Sequence, residues 1–166
     1  MPVRSWYQPD VDKPGPIAAR NGTSPTDSAL RSMVTAAHQR GIKVLWRPCV
    51  DPHPMTDPSG KHVWRGNIGR RFTTGEWEKW FASYTPFIER YAALAQEVKV
   101  DQFSVGMELI QVAKQAAYMR SLCSRVRQKF HGPITYGANH GSEHFVTWWD
   151  AVDAIGIDVS LATQQW

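Results

Sequence analysis

The chain has 166 residues, a formal net charge of +4 and a hydrophobic fraction of 42%, which excludes a disordered or fibrous chain. No apolar run reaches the roughly 18 residues that a membrane helix requires, and prolines interrupt the first 20 residues, where a signal peptide would need an apolar core. Two cysteines are too few for a disulfide framework, so we expect one soluble domain over residues 1–166 with no membrane partner.

The first half of the chain predicts a strand, a helix, a second strand and a long loop. The first strand is expected at residues 3–7. Ser24-Pro25-Thr26-Asp27 has the pattern of a helix start with Ser24 as the N-cap, and the helix is expected to end at Gly41. Residues 42–47 form a β-type run, and residues 49–73 form a loop rich in Pro, Gly, His and Asp, of a length typical of functional loops.

The second half continues the alternation. Thr73 and Glu76 have the spacing of a capping box, and the helix behind them carries an apolar face to Leu94, with a kink expected at Pro86. We expect a strand at 100–108, a helix at 113–130, a strand at 133–139, a short helix capped by Ser142 and a last strand at 154–159. Most of the eight tryptophans are expected in the core.

Strands that alternate with helices predict an α/β fold with a parallel sheet, either doubly wound or a (β/α) barrel. A complete TIM-type barrel usually needs about 250 residues. Only about five strands and four helices are predicted in this chain, so the barrel interpretation is that of a partial barrel.

Polar side chains end four of the predicted strands. Because side chains alternate across a strand, each strand divides into an apolar face, expected to contact helices, and a small or polar face. Arg47, Glu108, Asn139 and Asp158 lie on the polar face at the carboxyl end, where barrels and open α/β sheets place their sites. Strand ends are also polar simply because they meet loops, but the agreement of four strands favours a site.

Glu108 is the most distinctive of the four because it ends a run that is otherwise apolar or small. The carboxyl ends of the strands would surround the mouth of a barrel. A carboxylic acid at that mouth suits glycoside hydrolysis, in which the leaving oxygen must be protonated. That reaction usually uses a second carboxylate about 5 to 9 Å away. Asp51 and Asp158 could reach the mouth, whereas the other candidate aspartates lie at a strand start or beside a helix end.

Several segments, in the same order along the chain, resemble glycoside hydrolase family 113. They are Ser24-Pro-Thr-Asp27, Arg47-Pro-Cys-Val-Asp51, Trp64-Arg-Gly-Asn-Ile68, Trp77-x-x-Trp80, Val105-Gly-Met-Glu108, Thr135-Tyr-Gly-Ala-Asn139 and the stretch from Trp149 to Asp158. The resemblance covers nearly the whole chain. It implies the retaining (β/α)8 barrel of β-mannanase-type enzymes, with a β-linked polysaccharide or oligosaccharide such as β-1,4-mannan as the substrate.

By this resemblance Glu108 ends the fourth barrel strand and corresponds to the general acid/base. The positions that correspond to the lining of the sugar-binding cleft are Asp51, Trp64, Arg65, Asn139 and Asp158, and the strand-end argument adds Arg47. The family's nucleophile is a second Glu at the end of the seventh strand, beyond residue 166. The chain is therefore expected to be the middle of a barrel, from strand two to strand six, without the residue that forms the family's covalent intermediate.

Three departures from the family pattern concern the substrate more than the fold. Met107 precedes the acid/base, where the wider clan generally has a polar residue. Cys49 stands in place of an expected His, and it is the one thiol whose position suggests reactivity. Residues 159–161 replace an expected aromatic segment.

The same residues allow other functions. Trp64 and Trp148 could bind a glycan without hydrolysing it, which would make the chain a non-catalytic carbohydrate-binding relative. Gly141 and Ser142 place His140 outside the helix that would bring it to His144, so we expect no metal and no cofactor. The basic residues of the 113–130 helix are spread around it as on a solvated face, so no nucleic acid is expected.

Association and location are less constrained by the sequence. A partial barrel leaves strand edges unpaired, and a second copy of the chain could cover them. No signal peptide is visible, which fits a cytoplasmic protein as the sequence stands and a secreted one if the N-terminus is truncated.

Overall fold

The computed structural model describes residues 5–159, which form six strands and four helices. The strands are β1 (Trp6–Gln8), β2 (Leu45–Trp46), β3 (Val50–Pro52), β4 (Gln102–Met107), β5 (Ile134–Asn139) and β6 (Ala154–Asp158). The helices are α1 (Asp27–His38), α2 (Thr74–Glu97), α3 (Ile110–Ala113) and α4 (Ala116–Arg127). Three 3-10 turns, Arg65–Asn67, Glu143–Phe145 and Trp149–Ala151, lie in the connections.

All the strands pair in parallel. β1 pairs with β3, and the other strands run in the order β2-β4-β5-β6. Only residues 47–49 separate β2 from β3, so one stretch of chain contacts β4 through its first part and β1 through its second. The result is an arc of parallel strands joined by helices, which confirms the predicted partial (β/α) barrel.

Aromatic side chains of α2 form the centre of the core between the helices and the strands. Trp80 is fully buried, stacks on Tyr84 with ring centroids 4.4 Å apart, and donates its Nε1–H to Gln8 of β1. Five of the seven tryptophans among the described residues are buried, as expected for side chains that each bury about 150–250 Å². They are Trp6, Trp46, Trp77, Trp80 and Trp148.

Of the two predicted helix starts compared below, one is confirmed and the other is wrong. Thr73 and Glu76 form the expected capping box, with the Thr73 amide donating to Glu76 Oε2 at 2.8 Å. The predicted N-cap Ser24 is wrong, because α1 begins at Asp27 and Thr26 Oγ1 accepts from the Ala29 amide at 3.2 Å. The Ser24 hydroxyl instead donates to the Ser5 carbonyl at 2.6 Å and fixes the chain before α1 to β1.

Other predicted bounds were also wrong. The helix expected at 113–130 corresponds to α4 and is shorter than expected, and α3 forms a separate short helix before it. The strand expected at 42–47 shortens to β2, and β3 lies inside the predicted loop. Pro48 has no N–H to donate to a sheet ladder, which accounts for the break between β2 and β3. Ser142 caps no helix, because its hydroxyl donates to the Asn139 carbonyl at 2.7 Å and 3-10 turns follow. Residues 3–4 and 160–161 of the predicted segments lie outside the described residues.

The apolar face predicted for the last strand is not covered by a helix among residues 5–159. Ile155 and Ile157 of β6 are 64% and 47% exposed, although alternation placed them toward surrounding helices. β6 pairs only with β5 in the described part of the chain. β6 therefore combines an exposed apolar outer face with a position at the edge of the described sheet.

Candidate active site

Glu108 follows β4 directly, at the carboxyl end of the sheet, as predicted. Side chains nevertheless do not alternate strictly along β4, because the register against β5 shifts between Ser104 and Met107. Glu108 itself has φ +52°, in the left-handed region that a residue other than glycine seldom adopts. Backbone strain of this kind is concentrated at functional sites.

Arg65 joins Asp51 to Glu108. Arg65 Nε donates to Asp51 Oδ1 at 2.8 Å and Nη2 donates to Oδ2 at 2.9 Å, while Nη1 lies 3.9 Å from Glu108 Oε2. Arg65 and Asp51 are each only 8% exposed. Nη1 is buried without a hydrogen-bond partner among residues 5–159, so one hydrogen bond of the guanidinium is left unmade next to Glu108.

The charge of Arg65 is fixed by its partner. Burial lowers the pKa of Arg65, but the Asp51 carboxylate, together with Cys49 and Glu108, raises it by more, so the net effect is a raised pKa. Ser5, which is also buried, donates its hydroxyl to Asp51 Oδ2 at 2.5 Å. Both carboxylate oxygens of Asp51 are therefore engaged, and Asp51 acts as the anchor of Arg65.

Ser5 was not among the predicted site residues. Its only sequence signal is its position two residues before Tyr7, on the same face of the strand, and Tyr7 pairs with Asp51 in the β1–β3 register. A buried serine of this kind is chemically ordinary, so its partner becomes visible only in three dimensions.

A second ion pair crosses the inside of the arc. Arg47, just after β2, donates to Asp158 at the end of β6, although β4 and β5 lie between these strands in the sheet. Both side chains are partly buried, and we call them the floor pair. They lie over Gly137 of β5, where an added Cβ would be 2.6 Å from Asp158 Oδ2.

Asn139 and Trp64 have local roles in the described structure. Asn139 ends β5 opposite Asp158, and its Nδ2 donates to the His140 carbonyl at 3.1 Å. Trp64 immediately precedes the turn that carries Arg65, and an added Cβ at Gly66 would lie 2.6 Å from its ring. Trp64 is thus held against its own turn.

The structure brings the predicted site residues together to different degrees. Direct side-chain contacts form two groups, and the remaining residues are neighbours at the same edge or in the same loop. The first group is Asp51, Arg65 and Glu108, the second is Arg47 and Asp158, and the neighbours are Asn139 and Trp64. Gly137 links the groups, because its carbonyl accepts from the Glu108 amide at 2.7 Å and the floor pair lies above it.

Cys49 lies beside the residue that precedes Glu108. Its thiol contacts the Met107 thioether, and burial raises the pKa of the thiol, which disfavours the reactive thiolate. The structure therefore argues against Cys49 as a reactive thiol.

Among residues 5–159, no group of three or more His, Cys, Asp or Glu side chains could hold a metal ion. None of the helices formed by these residues has the length and apolarity to cross a membrane.

The parallel strands form an arc, and a carboxylate on strained backbone and a buried arginine lie at their carboxyl ends. This arrangement defines a (β/α)-barrel protein, and the candidate site lies at the end of the barrel where barrel enzymes have their sites. The chain belongs to Glycoside Hydrolase Family 113, whose model matches residues 8–166. The resemblance noted from the sequence is thereby confirmed. No curated protein matches the chain.

Solved structures give the same result. The GH113 β-mannanase AaManA from Alicyclobacillus acidocaldarius, in complex with ManMIm, is 32% identical with a TM-score of 0.81, and the match covers 92% of this chain and 48% of that one. A GH113 β-1,4-mannanase, solved in complex, is 26% identical with a TM-score of 0.81 over 92% of this chain and 48% of that one. A fungal β-1,4-galactanase structure, 13% identical with a TM-score of 0.50, shares the fold. The chain spans about half the length of these relatives.

Proposed function

We propose that the protein hydrolyses a β-linked mannan and that Glu108 is its general acid/base. The observation that carries this proposal is the position of the Glu108 carboxyl at the mouth of a family 113 barrel, 3.9 Å from Arg65 Nη1, which has no hydrogen-bond partner among residues 5–159. The family and the β-mannanases among the solved relatives support the substrate class.

The proposed chemistry begins with proton transfer. The protonated carboxyl of Glu108 donates its proton to the glycosidic oxygen as the bond to the anomeric carbon breaks, and the aglycone leaves as an alcohol. The resulting carboxylate then takes a proton from the water that completes hydrolysis. Arg65 Nη1 then donates to a sugar oxygen, and the two hydrogen bonds from Arg65 to Asp51 hold the guanidinium beside Glu108.

The second carboxylate of the reaction is neither of the two aspartates at the mouth. Asp51 is bound by Arg65 and Ser5, and Asp158 is bound by Arg47, so neither is free to attack a sugar or to activate water. By the family resemblance this role belongs to a Glu on a seventh barrel strand outside these 166 residues. We therefore assign no nucleophile to this chain.

The same observation favours a second candidate function, carbohydrate binding without hydrolysis. Both aspartates that could have replaced the nucleophile are neutralised by arginines. The cleft residues would then hold an oligosaccharide through hydrogen bonds and aromatic contacts while no bond is broken.

Binding and turnover of β-1,4-mannohexaose by the purified chain separate the two functions. The test compares Glu108→Gln with Glu97→Gln, an exposed carboxylate at the far end of α2, by calorimetry and by reducing-sugar release. The hydrolase proposal predicts release that falls by about 10²-fold or more in Glu108→Gln with binding preserved, and no change in Glu97→Gln. Binding without release by the parent would establish the second function, and an absence of binding would refute both.

A further inference from the structure

Two buried tyrosine hydroxyls flank the point at which β4 turns toward the mouth. Tyr84 Oη, from α2, donates to the Val105 carbonyl at 2.8 Å. Tyr136 Oη, from β5, accepts from the Leu109 amide at 3.0 Å. Burial raises the pKa of both phenols, so both stay neutral. One hydroxyl therefore holds the backbone before Glu108 and the other holds it after Glu108.

Gly106 lies between these two contacts, in the register shift of β4. A Cβ on Gly106 would be 2.8 Å from Tyr84 Oη and 3.2 Å from the Tyr136 ring. The two rings thus occupy the space that a side chain would need, and the strand can shift register only because this residue is glycine.

The shifted strand leads directly into the left-handed backbone of Glu108. A non-glycine residue with φ +52° keeps that conformation only where its surroundings hold it. The supports are on β5, since the Glu108 amide donates to the Gly137 carbonyl at 2.7 Å and the next amide, of Leu109, donates to Tyr136. Two consecutive amides are therefore tied to two consecutive residues of the neighbouring strand.

We propose that Tyr136, assisted by Tyr84, is a positioning residue that holds the Glu108 carboxyl at the mouth. Tyr136 acts through the Leu109 amide, which fixes the backbone of Glu108 and thereby the direction of its side chain toward Arg65. This inference rests on the proposed role of Glu108 as acid/base, and it assigns that role's geometry to a residue on the helix-facing side of β5.

An ordinary core role for Tyr136 makes a different prediction. Its ring packs against Trp148 with centroids 5.1 Å apart, and phenylalanine would keep that contact. Only the hydroxyl reaches the Leu109 amide, so Tyr136→Phe leaves the packing intact and leaves one buried amide without an acceptor.

The test uses the 166-residue chain, labelled with ¹⁵N and ¹³C, and NMR spectroscopy. In Tyr136→Phe we expect hydrogen exchange of the Leu109 amide to accelerate about tenfold, the loss expected for one hydrogen bond, and the ¹³C resonance of the Glu108 carboxyl to shift. The control is Tyr118→Phe, since the Tyr118 ring stacks on Phe81 and its hydroxyl has no hydrogen-bond partner within residues 5–159.

Tyr84→Phe gives an independent measurement through the other hydroxyl, and it also decides the matter if Tyr136→Phe does not fold. It should shift the same Glu108 carboxyl resonance, although its contact is with Val105. An unchanged carboxyl resonance in the folded variants, or exchange that accelerates equally along β4 and β5, would overturn the proposal. Neither readout requires hydrolysis, so the result is separable from the Glu108→Gln test of the function.

Discussion

Replacing Asp51 with asparagine removes the charge that balances Arg65 while keeping the size of the side chain. In the folded protein Asp51 accepts two hydrogen bonds from Arg65 and one from Ser5, and both members of the ion pair are 8% exposed. The substitution leaves a buried guanidinium whose one remaining ion-pair partner within the described residues 5–159 is the Glu108 carboxyl, 3.9 Å away.

The expected loss follows from this burial. Breaking a buried ion pair by removing one partner costs about 3–5 kcal/mol, because the other charge is left without compensation. Glu108 offsets part of the cost, so we expect the lower end, about 3 kcal/mol, which is about 150-fold in the unfolding equilibrium. A domain with about 5–15 kcal/mol of stability stays folded after such a loss.

Urea unfolding monitored by tryptophan fluorescence measures this change. The control is Asp150→Asn, which removes a bidentate but exposed pair with Arg120 and should cause a much smaller change. A double variant, Asp51→Asn with Arg65→Met, should be more stable than Asp51→Asn alone, since the unbalanced charge is gone. Asp51→Asn within about 0.5 kcal/mol of the parent protein would refute the reasoning.

Three further predictions concern the floor pair, acid stability and association. Gly137→Ala should lower the free energy of unfolding by about 1–3 kcal/mol, because its methyl group would collide with the floor pair. Gly75→Ala should not lower it, because no atom lies within 4 Å of the added Cβ. Urea titrations of the two variants measure the difference. Hydrogen bonds from Lys43 and Arg127 lower the pKa of Asp101 and Asp153, respectively. These carboxylates therefore stabilise the fold above about pH 4, and the stabilisation is lost as the pH falls further. The urea midpoints of the parent and of Asp101→Asn should converge in acid, and midpoints that run parallel with pH would contradict the assignment. The exposed edge of β6 should support concentration-dependent self-association that Ile155→Lys weakens in sedimentation velocity, and a parent protein that stays monomeric at all concentrations would exclude it.

Local sequence patterns predicted those parts of the fold that depend on neighbouring residues. The capping box at Thr73 and Glu76 satisfies amides within one turn, so its spacing is enough to identify it. The start of α1 was misplaced because Ser24 and Thr26 both have hydroxyls suited to an N-cap. The tertiary contact of Ser24 with Ser5 decides between them, and such a contact leaves no trace in the spacing.

The geometry of the site was harder to predict than the identity of its residues. The alternation of side chains along the strand pointed to Glu108. The register shift in β4 and the left-handed backbone of Glu108, however, are what direct its side chain toward the mouth. Arg65 lies on a turn with no periodic pattern, and only the family resemblance pointed to it. The hydroxyl of Tyr136 could not be predicted at all, because a tyrosine on the helix-facing side of a strand reads as an ordinary core residue.

The role of Glu108 as proton donor is tested most directly by varying the leaving group in Glu108→Ala. A manno-oligosaccharide needs protonation of its leaving oxygen, whereas 2,4-dinitrophenyl β-mannoside has a leaving group that departs without a proton. With the seventh-strand Glu supplied as nucleophile, the account predicts that the parent protein cleaves both substrates, and that Glu108→Ala loses about 10²–10⁴-fold on the oligosaccharide while it still releases dinitrophenol rapidly in the first turnover. Equal losses on both substrates would contradict the assignment of Glu108 as the acid/base.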